Sequence, residues 1–291
     1  MQIRPDILCC CLLGSFAILG TVVNAAPVPI ANPGFEADFA ADGTFPVGDV
    51  ADWPAYDPLG LLGQPGNFTG VVNPTGTSFF NFDDAPEGRN AALLFLEGTI
   101  GQGPIGIRQQ LDAVVEPGTI YTLTAEVGNI ASGTGLPPFD SFGFYNLDGF
   151  PGYSIQLVAN GVVLAEDDDS LLIPEGEFRT ATCSVTIGAD HPLLGVPLEI
   201  RLINLNREDG PDAPGIEVDF DDIRLEAEAV ADPACNAADL TEPFGVLDLA
   251  DIGVFVAAFT GQSSQADLNS DGVFDLTDIG TFVGAFASGC P

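Results

Sequence analysis

The sequence contains no lysine, one histidine, one tryptophan and one methionine, and all seven of its basic residues are arginine. Against these stand 42 acidic residues, for a formal net charge of -35. Such a chain is repelled by nucleic acid and by anionic membranes, and it suits divalent cations and salty water. The shortage of histidine also narrows the chemistry. An imidazole-assisted nucleophile would have to rely on His191, which sits in a turn-like Asp-His-Pro with no serine or cysteine motif beside it. A pair of carboxylates for glycoside hydrolysis cannot be singled out among so many acids, and Asp167-Asp168-Asp169 reads as a solvated loop. No catalytic residue is assigned, and binding and attachment are expected rather than catalysis.

Long apolar runs are also scarce. One from Ile7 to Val23, behind a single arginine and ahead of Val23-Asn24-Ala25, has the form of a secretory signal peptide over residues 1–25. Cleavage after Ala25 is preferred because Pro27 would follow a cut at Ala26. No other run is long enough to span a bilayer, so the expectation is a secreted protein, extracellular or attached to a cell surface, with no membrane span after cleavage. Beyond the signal only Cys183, Cys235 and Cys290 remain. Cys183 lies in a strand-like Ala-Thr-Cys-Ser-Val-Thr and reads as a buried small hydrophobe.

A composition of 17% charged and 46% hydrophobic residues excludes disorder, and 35 glycines with 23 prolines point to many turns. Between residues 26 and 228, β-rich runs recur: Ala91 to Leu96, Ile105 to Leu111, Ile120 to Val127, Tyr153 to Ala159, Val162 to Ala165, Phe178 to Ile187, Leu198 to Leu205 and Ile216 to Leu225. Tyr121-Thr-Leu123-Thr-Ala125-Glu-Val127 alternates with period two, and Asn160-Gly161 is a hairpin turn. The fold class predicted is mainly β, a two-sheet jelly-roll sandwich, followed by a small α-helical unit after a linker at 229–234.

That last unit, 235–291, carries the most specific spacing in the chain. Asp267, Asn269, Asp271, Asp275 and Asp278 occupy positions one, three, five, nine and twelve of a loop with Gly272 at six, where Val273 offers its carbonyl. This is the layout by which a chain wraps a calcium ion with six to eight oxygens. Ile279, Phe282, Val283 and Phe286 follow at helical spacing. An irregular copy lies upstream: Asp239, Asp248 and Asp251 stand in place, but it is one residue longer and Thr241 and Pro243-Phe244 replace ligands, leaving a weak calcium site or a metal-free turn. Ile252, Phe255, Val256 and Phe259 form its helical face, so two loop-helix repeats are expected to pack phenylalanine against phenylalanine.

The duplicated unit resembles a type I dockerin, more narrowly the GC-type, with its Leu-Asp-Leu-Ala-Asp-Ile-Gly run from Leu247 and its Ser288-Gly289-Cys290-Pro291 ending. The resemblance implies calcium as cofactor, a cohesin-like or other surface protein as partner, and a link to polysaccharide degradation. In such a pseudo-symmetric pair Cys235 and Cys290 come together, and a disulfide there would stabilise the unit by about 4 kcal/mol on the chain-entropy argument.

Upstream, Asn32-Pro33-Gly34-Phe35-Glu36, the single Trp53 and Val218-Asp-Phe-Asp221-Asp222-Ile-Arg-Leu225 resemble the galactose-binding-like jelly rolls that include many carbohydrate-binding modules. By that resemblance Glu36 and Asp221, on the first and last strands, hold a structural calcium. A glycan would stack on exposed rings, for which Phe142, Phe144, Tyr145 and Tyr153 are one candidate group and Trp53 another. The function expected is a non-catalytic, surface-attached binding protein. The alternatives are a dockerin-tethered polysaccharide-active enzyme and a purely structural surface protein.

Overall fold

A computed structural model describes residues 25–208, 215–230 and 234–290. The signal-peptide assignment and Pro291 therefore lie outside the described residues, apart from Ala25.

Eleven strands are present among them: β1 (Ala26–Pro27), β2 (Ala55–Tyr56), β3 (Asn67–Val72), β4 (Ala91–Leu96), β5 (Ile105–Val114), β6 (Thr119–Asn129), β7 (Tyr153–Ala159), β8 (Val162–Asp168), β9 (Glu177–Ile187), β10 (Pro197–Asn204) and β11 (Glu217–Ala229). They form two antiparallel sheets. One runs β3-β4-β11-β6-β9 with β1 added along β11, and the other runs β2-β5-β10-β7-β8. The two-sheet sandwich expected from the sequence is what the chain adopts. Its hairpin between β7 and β8 turns through Asn160 and Gly161, both with positive φ, the conformation an Asn-Gly pair enters at least cost.

The core forms from the inward-facing half of each strand. In the first sheet Ala92, Leu94 and Leu96 of β4, Leu123, Ala125 and Val127 of β6, and Val218 and Phe220 of β11 are buried against Ile155 and Leu157 of β7 and Ile200 and Leu202 of β10. Trp53 is fully buried in this core and its indole N–H donates to the Asn32 carbonyl at 3.0 Å. Tyr153 is equally buried, its hydroxyl donating to Asp167 Oδ2 at 2.9 Å. Neither ring can act as the exposed stacking platform expected of it, because each fills core volume and satisfies its polar atom internally. The solvated loop assigned to Asp167-Asp168-Asp169 is also corrected. Asp167 and Asp168 end β8, and Asp167 is buried on the Tyr153 hydroxyl.

Two α-helices follow, α1 (Leu249–Thr260) and α2 (Leu276–Ser288). Each begins with the same device. Asp248 caps α1 and Asp251 reaches back to the cap's backbone N–H, and Asp275 and Asp278 do the same for α2. Phe255 and Phe282 stack with ring centroids 4.1 Å apart. Cys235 and Cys290 are joined by a disulfide, and Cys183 is buried and unpaired.

Candidate functional site

The outward half of the first sheet is not uniformly polar. Strand pairing aligns Phe68 of β3 with Phe95 of β4 and Phe95 with Glu217 of β11; one step along the same face it aligns Leu93, Asp219, Gly128 of β6 and Phe178 of β9. Over this face fold two connections. The β3–β4 segment brings Phe79 and Phe80, and the β6–β7 segment brings Ile130, Tyr145, Leu147 and a 3₁₀ turn from Phe139 to Phe142. Phe45 closes the side, 4.3 Å from Phe139 and edge-on to Tyr145 at 5.4 Å between centroids. A cavity of about 390 Å³ remains between sheet and cover. That is the size of a site for a small organic molecule.

Its walls are almost wholly apolar. Phe68 and Phe95 stack nearly parallel at 4.5 Å, and among the described residues the only charged side chains lining the cavity are Glu97 and Glu217. Beside Glu217 on the same sheet face, Gly128 leaves room for Phe178 and Asp219: a Cβ there would stand 2.6 Å from the Phe178 ring and 3.1 Å from Asp219 Cβ.

Glu217 and Asp219 are the chemical feature of the site. Glu217 is 6% exposed and Asp219 fully buried, two residues apart on one face of a central strand. Neither Asp219 oxygen meets an N–H or O–H donor among the described residues. Only the Glu217 carboxyl is within hydrogen-bonding reach, and two carboxylates cannot bond each other without a proton. Burial pushes Glu217 up to about 8, its bond to Asp219 acting the other way. Burial and then the Glu217 charge raise Asp219 well above the usual carboxylate range. Glu217 faces the aromatic cavity, with Asp219 buried beside it on the same strand face.

The residues expected from the sequence divide unevenly around this site. Tyr145 and Phe142 line the cavity, Phe142 at its rim and 73% exposed, whereas Phe144 is exposed and outside it. Trp53 and Tyr153 are in the core, as described above. Glu36 accepts from the Arg89 and Asn90 backbone N–H groups at 2.6 and 2.7 Å. Asp221 accepts from those of Glu87 and Asp222, both at 2.7 Å. Burial pushes the Asp221 carboxyl up to about 8.

In the loop before α2, Asp267 accepts from Asp271 and Gly272, Asp271 from Val273, Asp275 from Thr277, and Asp278 from Leu268, Asn269 and Asp275. The amide of Asn269 donates to Asp271 at 2.9 Å. Asp239 accepts from Cys235 and Gly245 through one oxygen, and its other oxygen is buried without a donor. Sequence reasoning missed Glu217, Asp219 and the Phe68–Phe95 wall. The available signal was the alternation in Glu217-Val-Asp219-Phe, which puts two acids on one face of a strand too apolar to be an edge.

Comparison with known proteins corrects the functional expectation. The family model of the HpiC1-like cyclases, described as HpiC1 cyclase, matches residues 26–226, and no dockerin family matches. No curated protein matches the chain. Among solved structures, Fisc, a Stig cyclase from Fischerella sp. TAU in complex with (3Z)-3-(1-methyl-2-pyrrolidinylidene)-3H-indole, is 38% identical; the likeness covers 71% of this chain and 99% of that one, with a TM-score of 0.62. A cyclase from the same organism in complex with 4-(1H-indol-3-yl)butan-2-one is also 38% identical, over 70% and 98%, at 0.61. An apo-form cyclase from Fischerella sp. matches at 38%, over 70% and 97%, again at 0.61.

The dockerin and carbohydrate-binding resemblances, the cohesin-like partner, the glycan and the non-catalytic role are overturned by these matches, because loose motifs shared by many jelly rolls specify a fold and not a site. The match falls on the residues of the sandwich, and this chain belongs to the HpiC1-like cyclase family.

Proposed function

We propose that the protein is a secreted cyclase that holds a largely apolar, indole-type small molecule against the Phe68–Phe95 wall and starts ring closure with a proton from Glu217. The observation that carries this reading is Glu217 lining an aromatic cavity while paired with the buried Asp219. The indole compounds bound to the two related cyclases support the substrate class. Glu217, as the acid, gives its proton to one carbon of a substrate double bond. A second π bond attacks the cation so formed, making the new carbon–carbon bond, and loss of a neighbouring proton to the Glu217 carboxylate restores both the double bond and the acid. The net change is an isomerisation, with no atom gained or lost. Ring faces stabilise the passing positive charge, and the dry walls keep water from intercepting it. Asp219 holds the Glu217 carboxyl in place through the shared proton.

Three further elements belong to this proposal. The chain divides into a sandwich over 26–228, a linker at 229–234 and a helical unit of two loop-helix repeats from 235. Calcium is the metal suited to Glu36 and Asp221, with Glu87 beside them, since a buried carboxyl raised by burial gains from a hard cation. It also suits Asp267, Asn269, Asp271, the Val273 carbonyl, Asp275 and Asp278, with Asp239, Asp248 and Asp251 as the irregular counterpart. The donorless buried oxygen of Asp239 fits such an ion.

Turnover of alkenylated indoles by the full secreted chain tests the cyclase reading. Glu217→Gln should lower the rate by about 10²–10⁴-fold while leaving ligand binding in place. A wild-type chain that neither binds nor converts any indole compound, or a Glu217→Gln variant of full activity, would defeat the reading.

A further inference from the structure

We propose that the 3₁₀ turn from Phe139 to Phe142 is a flap that closes over bound substrate, and that Phe142 thereby decides whether the cation formed in the cavity closes a ring or is captured by water. This rests on the cavity being the cyclase site and adds the element that keeps water out of it. Phe139 and Phe142 both line the cavity, yet they are held differently. The Phe139 ring packs on Phe45 at 4.3 Å between centroids, whereas Phe142, 6.3 Å from Phe139, leaves 73% of its surface in water. A phenylalanine at the rim of an apolar cavity gains by being covered, and an apolar ligand seated beneath it supplies the cover.

The backbone of the turn permits such a movement. The segment is fixed at both ends: the Leu136 N–H donates to the Gly43 carbonyl at 3.1 Å, and Tyr145 exchanges two bonds with Gly133, at 2.7 and 3.1 Å. Between these anchors, among the described residues, every hydrogen bond made by residues 138–144 stays inside the segment. Phe139 and Asp140 donate to Leu136, Ser141 to Pro138 and Gly143 to Asp140. No bond to a strand has to break for Phe142 to swing inward about Phe139. Gly143, directly after the turn, has φ 85° and ψ -149°, a region open only to glycine, and a Cβ there would meet nothing within 4 Å. It is placed as a hinge free of packing. The chemistry supplies the need. Once Glu217 has given its proton, a water that reaches the cation forms a carbon–oxygen bond and passes its own proton to the Glu217 carboxylate, so the product is an alcohol, heavier than the substrate by one water. With the flap down, attack by the second π bond is the course left, and the product keeps the substrate's mass.

Two measurements on the full chain test this. Hydrogen–deuterium exchange with 4-(1H-indol-3-yl)butan-2-one, the compound in complex with one of the related cyclases, should show the amides of residues 139–144 slowed about tenfold by the ligand. Turnover of an alkenylated indole in heavy-oxygen water, read by mass spectrometry, should give an unlabelled isomer with the wild type, while in Phe142→Ala the share of labelled alcohol should rise about tenfold. Gly143→Ala should raise that share too, since its positive φ is costly to alanine and the cavity wall is left intact. Phe142→Ala should melt with the wild type, because its ring is exposed. An alcohol share in both variants no higher than that of the wild type, or ligand binding that leaves the exchange of 139–144 unchanged, would overturn the flap while leaving the cyclase reading in place. If the wild type neither binds the ketone nor converts any indole, the cyclase reading falls and the flap with it.

Discussion

Two sets of buried carboxyls in this chain have opposite fates. Glu217 and Asp219 lie on a central strand among Leu93, Phe95 and Gly128 with no donor but each other, and they keep a proton. Asp251 and Asp278, at the starts of α1 and α2, are as hidden from water, 1% and 0% exposed. Each accepts three backbone N–H groups. Burial works against the Asp251 charge, yet the N–H groups of Asp248, Leu240 and Thr241 outweigh it and hold its carboxyl below the ordinary range. Burial alone does not fix a charge state. The donors within reach decide it, and a strand whose N–H groups are committed to its neighbours has none to spare.

The largest effect that would break this contrast comes from removing an acceptor. Asp278→Ala leaves three N–H groups without partners and should destabilise the α2 segment by about 3 kcal/mol, read as loss of helical circular dichroism at lower denaturant.

A smaller and opposite effect is expected on the strand. Glu217 releases its proton near pH 4.5 when unfolded but only at about 8 when folded, so the unfolded chain binds fewer protons between those values. Stability of the sandwich should therefore fall as pH rises from about 4.5 to about 8. Asp219 adds to the same slope. Glu217→Gln should remove about one proton from the slope and raise the melting temperature at the alkaline end, even as it slows the proposed turnover. A slope unchanged by the substitution would mean that the carboxyl is ionised in the folded state. The smallest effect is Asp275→Asn. The carboxyl is lowered by its bonds to Thr277, but asparagine caps a helix as well as aspartate, so in calcium-free buffer the melting curve should be indistinguishable from wild type.

Most of the sandwich was legible because its strands alternate, as Tyr121 to Val127 do, and because glycine and proline punctuate them. β3 was not. Asn67-Phe-Thr-Gly-Val-Val is buried on both faces and carries glycine at its centre, so no alternation marks it. The two helices were legible from their 3.6-residue period alone. Tyr153 and Trp53 misled because an aromatic beside a loop looks the same in sequence whether it faces water or the core. Glu217 and Asp219 stayed hidden for a different reason. Among 42 acids their alternation with Val218 and Phe220 is a faint mark, and it acquires meaning only when pairing sets leucine and glycine beside them.

The cavity sits outside the sheet and not between the sheets, and this bears on how such an enzyme can change. On β4, Ala92, Leu94 and Leu96 build the core while Leu93 and Phe95 build the wall, one residue out of phase. Substitutions at even and odd positions of one strand are thereby answerable to different demands. The first set is held by folding and the second is free to follow the substrate. A library confined to residues 68, 93, 95, 130 and 142 could recast the shape of the product while the sandwich beneath went on folding as before.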